Sequence, residues 1–188
     1  MPPPPDSHTT VAIIGAGALG RRLAVRAAGA GFRVVLEDVL PGNLRHARES
    51  IGEQLSPDAL GGAGGAGVVF VSTIEDAVRE ADLAIDCVPD ELESKLEILW
   101  LLDRMAPPRT VFATPTTALS IADLAACTNR PEKCVAVAVE PSALADLAAG
   151  ANFPIQLRAG PATSPDSLAL VSNFWRRLGF QPKVEPAP

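Results

Sequence analysis

From Thr10 onward the chain alternates short apolar runs with longer amphipathic stretches. The apolar runs predict strands over 10–14, 32–37, 68–72, 83–88, 110–113, 133–139, 154–158 and 180–184. The stretches between them predict helices over 18–30, 41–55, 75–80, 91–105, 120–126 and 166–178. Strands separated by helices of this length pair in parallel, because a parallel crossover needs a long connection. The prediction is an α/β chain, a doubly wound, mostly parallel sheet of about eight strands with helices on both faces.

Local punctuation supports these boundaries. Gly29 and Gly31 close the first helix, Ser120 caps the helix starting at Ile121 with Asp123 three residues on, and Ser164 caps the last helix ahead of Pro165. Residues 1–9 hold four consecutive prolines and are expected to be disordered or extended. One domain is expected over 10–184, followed by a short tail at 185–188. The glycine-rich stretch 61–67 lacks the Lys-Ser/Thr of a phosphate loop and is expected to be a flexible connector.

The first strand–helix junction carries chemistry. Val11-Ala12-Ile13-Ile14 runs into Gly15-Ala16-Gly17-Ala18-Leu19-Gly20, and the run Val34-Val35-Leu36 ends in Glu37-Asp38 eighteen residues past Gly20. Strand, glycine turn, helix, strand and acid in this order form a dinucleotide-binding pattern. Gly15 permits the tight turn, Gly17 lets a pyrophosphate approach the main chain, and Gly20 lets the helix pack closely on the sheet. Free N–H groups at the helix start, on Ala18 and Leu19, face the phosphates. Asp38 can accept from both ribose hydroxyls and would repel a 2′-phosphate, so the expected cofactor is NAD rather than NADP.

Composition narrows the alternatives. The 188 residues carry a net charge of −6 and are 47% hydrophobic, which suits a packed core and argues against a nucleic-acid surface. No apolar run is long enough to cross a membrane, and the start lacks the features of a signal peptide. The cysteines, Cys87, Cys127 and Cys134, have no metal-ligand spacing, and Cys87 and Cys134 are expected as small core residues. A cytoplasmic setting follows as the expectation, with no membrane or metal partner. The chain has no tyrosine, so the Tyr-Lys pair of short-chain dehydrogenases is excluded. Of the two histidines, His8 falls in the disordered start and His46 on a solvated helix face.

Taken together, these segments resemble the NAD-binding domain of the 3-hydroxyacyl-CoA dehydrogenases, a Rossmann-type fold. The glycine segment and the strand ending in Asp38 are similar to that family's. So are Ala81 through Asp90, Ala113-Thr114-Pro115-Thr116-Thr117-Ala118-Leu119-Ser120-Ile121, and the final helix and strand from Pro161 to Pro182. The resemblance covers residues 10–184 in order. It implies cofactor contacts at Val88, Pro89, Asp90, Lys95 and Thr114, a substrate-contacting hydroxyl at Thr117, an acyl-CoA-like ligand and a role in fatty acid metabolism.

The departures matter as much. The family's histidine base precedes an Asn-Pro pair. Here that pair is Glu140-Pro141, and the histidine position falls at Val137 or its neighbour Ala138. The acid that orients the histidine falls at Gln156, and the family's Asn falls at Pro115. Glu140, at a strand end, is the one candidate replacement for the base, with a solvated loop acid as its alternative reading. The family continues into a helical domain that dimerises and closes over the acyl-CoA. This sequence ends at Pro188, so half of the cleft is expected from elsewhere, with a homodimer or a partner chain. Three functions stay open: a diverged NAD-dependent oxidoreductase, a non-catalytic NAD(H)-binding module such as a redox sensor or assembly subunit, and a small flavin-binding protein.

Overall fold

A computed structural model describes residues 9–55, 67–139, 142, 144 and 153–186. Glu140 and Pro141, most of the glycine-rich stretch, and residues 1–8 lie outside the described residues. Among those described, eight strands form one sheet: β1 (Thr10–Ile14), β2 (Arg33–Glu37), β3 (Gly67–Val71), β4 (Leu83–Asp86), β5 (Val111–Pro115), β6 (Cys134–Ala138), β7 (Phe153–Ala159) and β8 (Phe180–Pro186). Their order is β3-β2-β1-β4-β5-β6-β7-β8, parallel throughout except for the β6–β7 pair. This is the expected doubly wound, mostly parallel sheet. The connecting helices are α1 (Ala18–Gly29), α2 (Pro41–Gly52), α3 (Ile74–Val78), α4 (Leu92–Met105), α5 (Ile121–Ala125) and α6 (Pro165–Arg177).

The sequence explains the layering. In α1 the buried positions are Gly20, Leu23, Ala24, Ala27 and Ala28, the spacing of one helical face. They pack on Ile13, Leu36 and Val34 with α2 and α6, where Phe174 and Trp175 fill the far end of the same layer. Ala12, Ile14 and Val35 point the other way, against Val78, Leu99, Leu102 and Leu124 of α3, α4 and α5. Thr73, Ser120 and Ser164 cap α3, α5 and α6 through their side chains. Gly31, at φ 85°, makes the turn after α1. No helix among the described residues is long and apolar enough to cross a membrane.

Most expected boundaries shift by one to three residues. The fourth strand ends at Asp86 rather than 88, because Cys87-Val88-Pro89 turns out over the sheet edge. Cys87 is accordingly half-buried at the strand's exit, whereas Cys134 is a buried strand residue. The second helix ends at Gly52 rather than 55.

Candidate functional site

The sheet splits at its centre. Chain order reverses between β1 and β4, so the loops leaving their carboxyl ends diverge and open a crevice. Hydrogen bonding marks the split. Gly15 N–H donates to the Glu37 carbonyl at 2.8 Å on one side, while Cys87 N–H donates to the Ile14 carbonyl at 2.7 Å on the other. The resulting cleft has a volume of about 910 Å³ and runs from Asp38 and Ile74 at one end to Thr117 and Val139 at the other.

The three glycines of the turn have separable roles. Gly15 adopts φ 102°, and a Cβ there would lie 3.0 Å from the Cys87 carbonyl oxygen. A Cβ on Gly20 would lie 1.9 Å from the Gly15 carbonyl oxygen, so Gly20 packs against the turn itself as well as toward the sheet. A Cβ on Gly17 would meet nothing within 4 Å. The protein's own packing therefore does not explain Gly17, whereas a ligand brought close to the main chain does. Just beyond it, the first turn of α1 has neither an acid nor a side-chain cap. Its N–H groups and the positive end of the helix dipole are left for an anion. Leu19 lines the cleft; Ala18 starts the same helix but its side chain borders a separate hollow over α1.

Asp38 sits where the pattern placed it, almost fully buried beside the turn. Its Oδ2 accepts from Ala16 N–H at 2.9 Å and Asn43 Nδ2 at 3.0 Å, and its Oδ1 accepts from Leu40 N–H at 2.9 Å. A carboxylate has about four acceptor positions. Three are occupied within the chain, leaving one for a ribose hydroxyl rather than the two expected. These features fit a nucleotide with a pyrophosphate: a bare main-chain cradle, an uncapped helix start and an oriented acid.

Val88, Pro89, Asp90 and Thr117 all line the cleft. Asp90 accepts the Thr117 N–H at 3.0 Å and so ties the loop after β4 to the loop after β5. Two expected contacts lie elsewhere. Lys95, expected as a cofactor contact, is fully buried and donates to Asp86 Oδ1 at 2.5 Å. Helical periodicity turns it inward from α4, and only the Asp86 carboxylate makes that burial tolerable. Thr114 is also buried, next to Asp86 on the adjoining strand, beneath the cleft floor. Among the described residues neither Thr114 Oγ1 nor Asp86 Oδ2 has a hydrogen-bond partner. Burial pushes the Asp86 carboxyl up from its usual range, against the pull of Lys95.

The sequence reading passed over Glu37. It is 5% exposed and lines the cleft on the side of Ile74 and Ile98. Burial, and then the charge of Asp38, raise its carboxyl from 4.5 to about 7. The signal lay in the strand's alternation: Val35 faces α3 and α4, so Glu37, two residues on, shares that inward face. Burial pushes the Cys87 thiol far up, so it offers no nucleophile in the cleft. His46 is exposed on α2, away from the cleft lining, as expected.

At the far end of the cleft, β6 and β7 set the remaining comparison. Val137 is fully buried opposite Leu157, and Ala138 stands opposite Gln156. Gln156 Nε2 donates to Glu185 at 2.9 Å.

Comparison with known proteins agrees with this geometry. The family described as 3-hydroxyacyl-CoA dehydrogenase, NAD binding domain, matches residues 10–184. The chain is 33% identical over 181 residues to a 5-formyl-3-hydroxy-2-methylpyridine 4-carboxylate 5-dehydrogenase from Mesorhizobium japonicum, covering 93% of this chain and 56% of that protein. It is 33% identical over 133 residues to a probable 3-hydroxybutyryl-CoA dehydrogenase from Bacillus subtilis, covering 66% of this chain and 46% of that protein. The crystal structure of the 3-hydroxyacyl-CoA dehydrogenase from Archaeoglobus fulgidus superposes with a TM-score of 0.78 at 26% identity, covering 96% of this chain and 57% of that one. The chain thus spans about half the length of the curated relatives it matches.

Proposed function

Since the chain belongs to the 3-hydroxyacyl-CoA dehydrogenase family as its NAD-binding domain, with NAD as coenzyme, we propose that it holds NAD in the β1–β4 crevice without supplying the proton acceptor of the family's reaction. When bound, the nicotinamide would accept or return a hydride. The chain's own residues do the holding. Main-chain N–H groups at the start of α1 face the pyrophosphate, and Asp38 takes a ribose hydroxyl.

The observation that carries this reading is the β6–β7 register. Where the resemblance aligns a histidine and its orienting acid, this chain has Val137 or Ala138 and Gln156. Val137 has no ionisable group, and the Gln156 amide is engaged by Glu185. Loss of a general base lowers a rate by about 10²–10⁴-fold.

A second reading, an active oxidoreductase on a 3-hydroxyacyl compound, is favoured by Thr117, whose hydroxyl-bearing residue is fixed at the cleft by Asp90. In that reading Glu140 is the replacement base. The acyl-CoA-like substrate is then enclosed by further polypeptide, by a second copy or by a partner chain. A cytoplasmic setting and a role in fatty acid metabolism belong to the same proposal.

Calorimetric titration with NAD, NADH and NADP, followed by a turnover assay with 3-hydroxybutyryl-CoA, tests both. We expect NAD and NADH to bind in preference to NADP, with turnover at background. Turnover at an ordinary dehydrogenase rate of about 1–10³ per second would overturn the first reading in favour of the second.

A further inference from the structure

One charged side chain of the cleft is buried and yet used by neither the turn nor the ribose contact. Glu37 ends β2 between Ile14 of β1 and Val71 of β3, and its side chain lies on the same face as Ile74 of α3 and Ile98 of α4. Among the described residues no N–H or O–H donates to its carboxyl, in contrast to Asp38 beside it, which receives three. Among the described residues no lysine, arginine or histidine lines the cleft. Its other charged groups are Asp38, Asp90 and Glu97, all acids. From the neighbouring α3, Glu75 and Asp76 add further negative charge, and Asp76 is engaged by Arg79. Beneath the floor, Asp86 is paired with Lys95.

A carboxyl that opens into the cleft without a donor, on an otherwise buried side chain among acids and apolar groups, is stabilised when uncharged. An uncharged carboxylic acid presents one donor and one acceptor side by side. The N7 edge of an adenine ring presents the complementary pair, the N7 acceptor next to the amino donor, which is how Asn and Gln amides recognise adenine. Beyond the ribose-binding Asp38, the cleft continues over the apolar surface of Ile74, Ile98 and Leu101, the surface suited to a planar base.

We propose that Glu37 is a specificity-determining residue of this site, meeting the adenine edge as an uncharged acid, so that coenzyme binding is coupled to a proton. The inference rests on the NAD-binding reading above. Its carboxyl already titrates at about 7, and a bound pyrophosphate adds negative charge that favours the protonated form further. Nucleotide binding should therefore take up a proton near neutral pH.

The test is calorimetry with NAD and with its hypoxanthine analogue, whose base carries an oxygen in place of the amino group. Titrations are run at pH 6 and pH 8, in buffers of different ionisation enthalpy. The unmodified protein should take up close to one proton on binding NAD at pH 8. It should bind NAD about tenfold more weakly at pH 8 than at pH 6. It should also prefer NAD to the analogue. Glu37→Gln keeps a donor and an acceptor, so it should keep that preference while losing the proton uptake and the pH slope. Equal affinity for the two dinucleotides, or the same proton uptake in Glu37→Gln as in the unmodified protein, would overturn the proposal and leave the NAD site intact. Failure of every dinucleotide to bind would overturn both. The proton count on the unmodified protein needs no variant to fold.

Discussion

The Asp38 carboxylate accepts the Ala16 N–H at 2.9 Å, bridging the end of β2 to the glycine turn after β1. The acid proposed to select the ribose therefore also fixes the main chain proposed to cradle the phosphates. Substituting it should disturb both. Hydrogen bonds to charged groups contribute about 1.5–3 kcal/mol each when made in a buried setting. Asp38→Ala is expected to weaken NAD binding about tenfold or more and to erase the preference over NADP, as read by titration with both. An unchanged ratio of the two affinities would show that Asp38 does not sit at the ribose.

Gly17 and Gly20 separate ligand demand from packing demand. Gly20→Ala forces a Cβ to 1.9 Å from the Gly15 carbonyl oxygen, and main chain cannot step aside as a side chain can. That variant should unfold at markedly lower denaturant or fail to accumulate folded. Gly17→Ala meets open space and an extended backbone at φ −67°, ψ −170° that alanine tolerates. Its stability should change only slightly, by less than about 1 kcal/mol, the loss of a favoured N-cap residue. Its NAD affinity should fall because a methyl group would stand against the pyrophosphate. Unimpaired NAD binding in a well-folded Gly17→Ala protein would place the phosphates elsewhere.

The division between what the sequence disclosed and what it withheld has a physical basis. The sheet, the turn and Asp38 were legible because each depends on local pattern: apolar runs, glycine spacing and an acid at a strand end. Lys95 was misplaced because its partner lies nine residues back, at the end of β4. A lysine on an amphipathic helix reads as solvated unless a buried acid is known to face it. Asp38's three donors were hidden for the same reason, since Asn43 and Ala16 reach it only once α2 and the turn fold toward each other. Glu37 was legible in principle from the alternation of β2. Its position as the last strand residue, next to a stronger candidate, concealed it.

The Lys95–Asp86 pair predicts an asymmetric mutational response. Both side chains are fully buried, and removing one partner strands the other's charge. Lys95→Met alone should destabilise the fold by about 3–5 kcal/mol, whereas Lys95→Met with Asp86→Leu should recover most of that loss. Denaturant unfolding of the two variants checks this. A single variant as stable as the double would mean that the pair carries no net electrostatic coupling.

Glu37 makes stability fall as pH rises across the neutral range. Its carboxyl titrates at about 7 in the folded chain, against an ordinary value of 4.5. Between those values the native state binds more protons than the unfolded state, so unfolding free energy declines with increasing pH. Below about 4.5 the group is protonated in both states, and above about 7 the destabilisation is complete. Asp86, whose carboxyl is also raised by burial, contributes a slope of the same sign. The two can be told apart because Glu37→Gln removes only the first. Relative to the unmodified protein, Glu37→Gln should gain more stability at pH 8 than at pH 5, with the Asp86 contribution cancelling in the difference. Denaturant midpoints at the two pH values provide the measurement. An equal difference at both would mean that Glu37 is hydrated well enough to ionise normally, and its burial beside Asp38 would have no titration consequence.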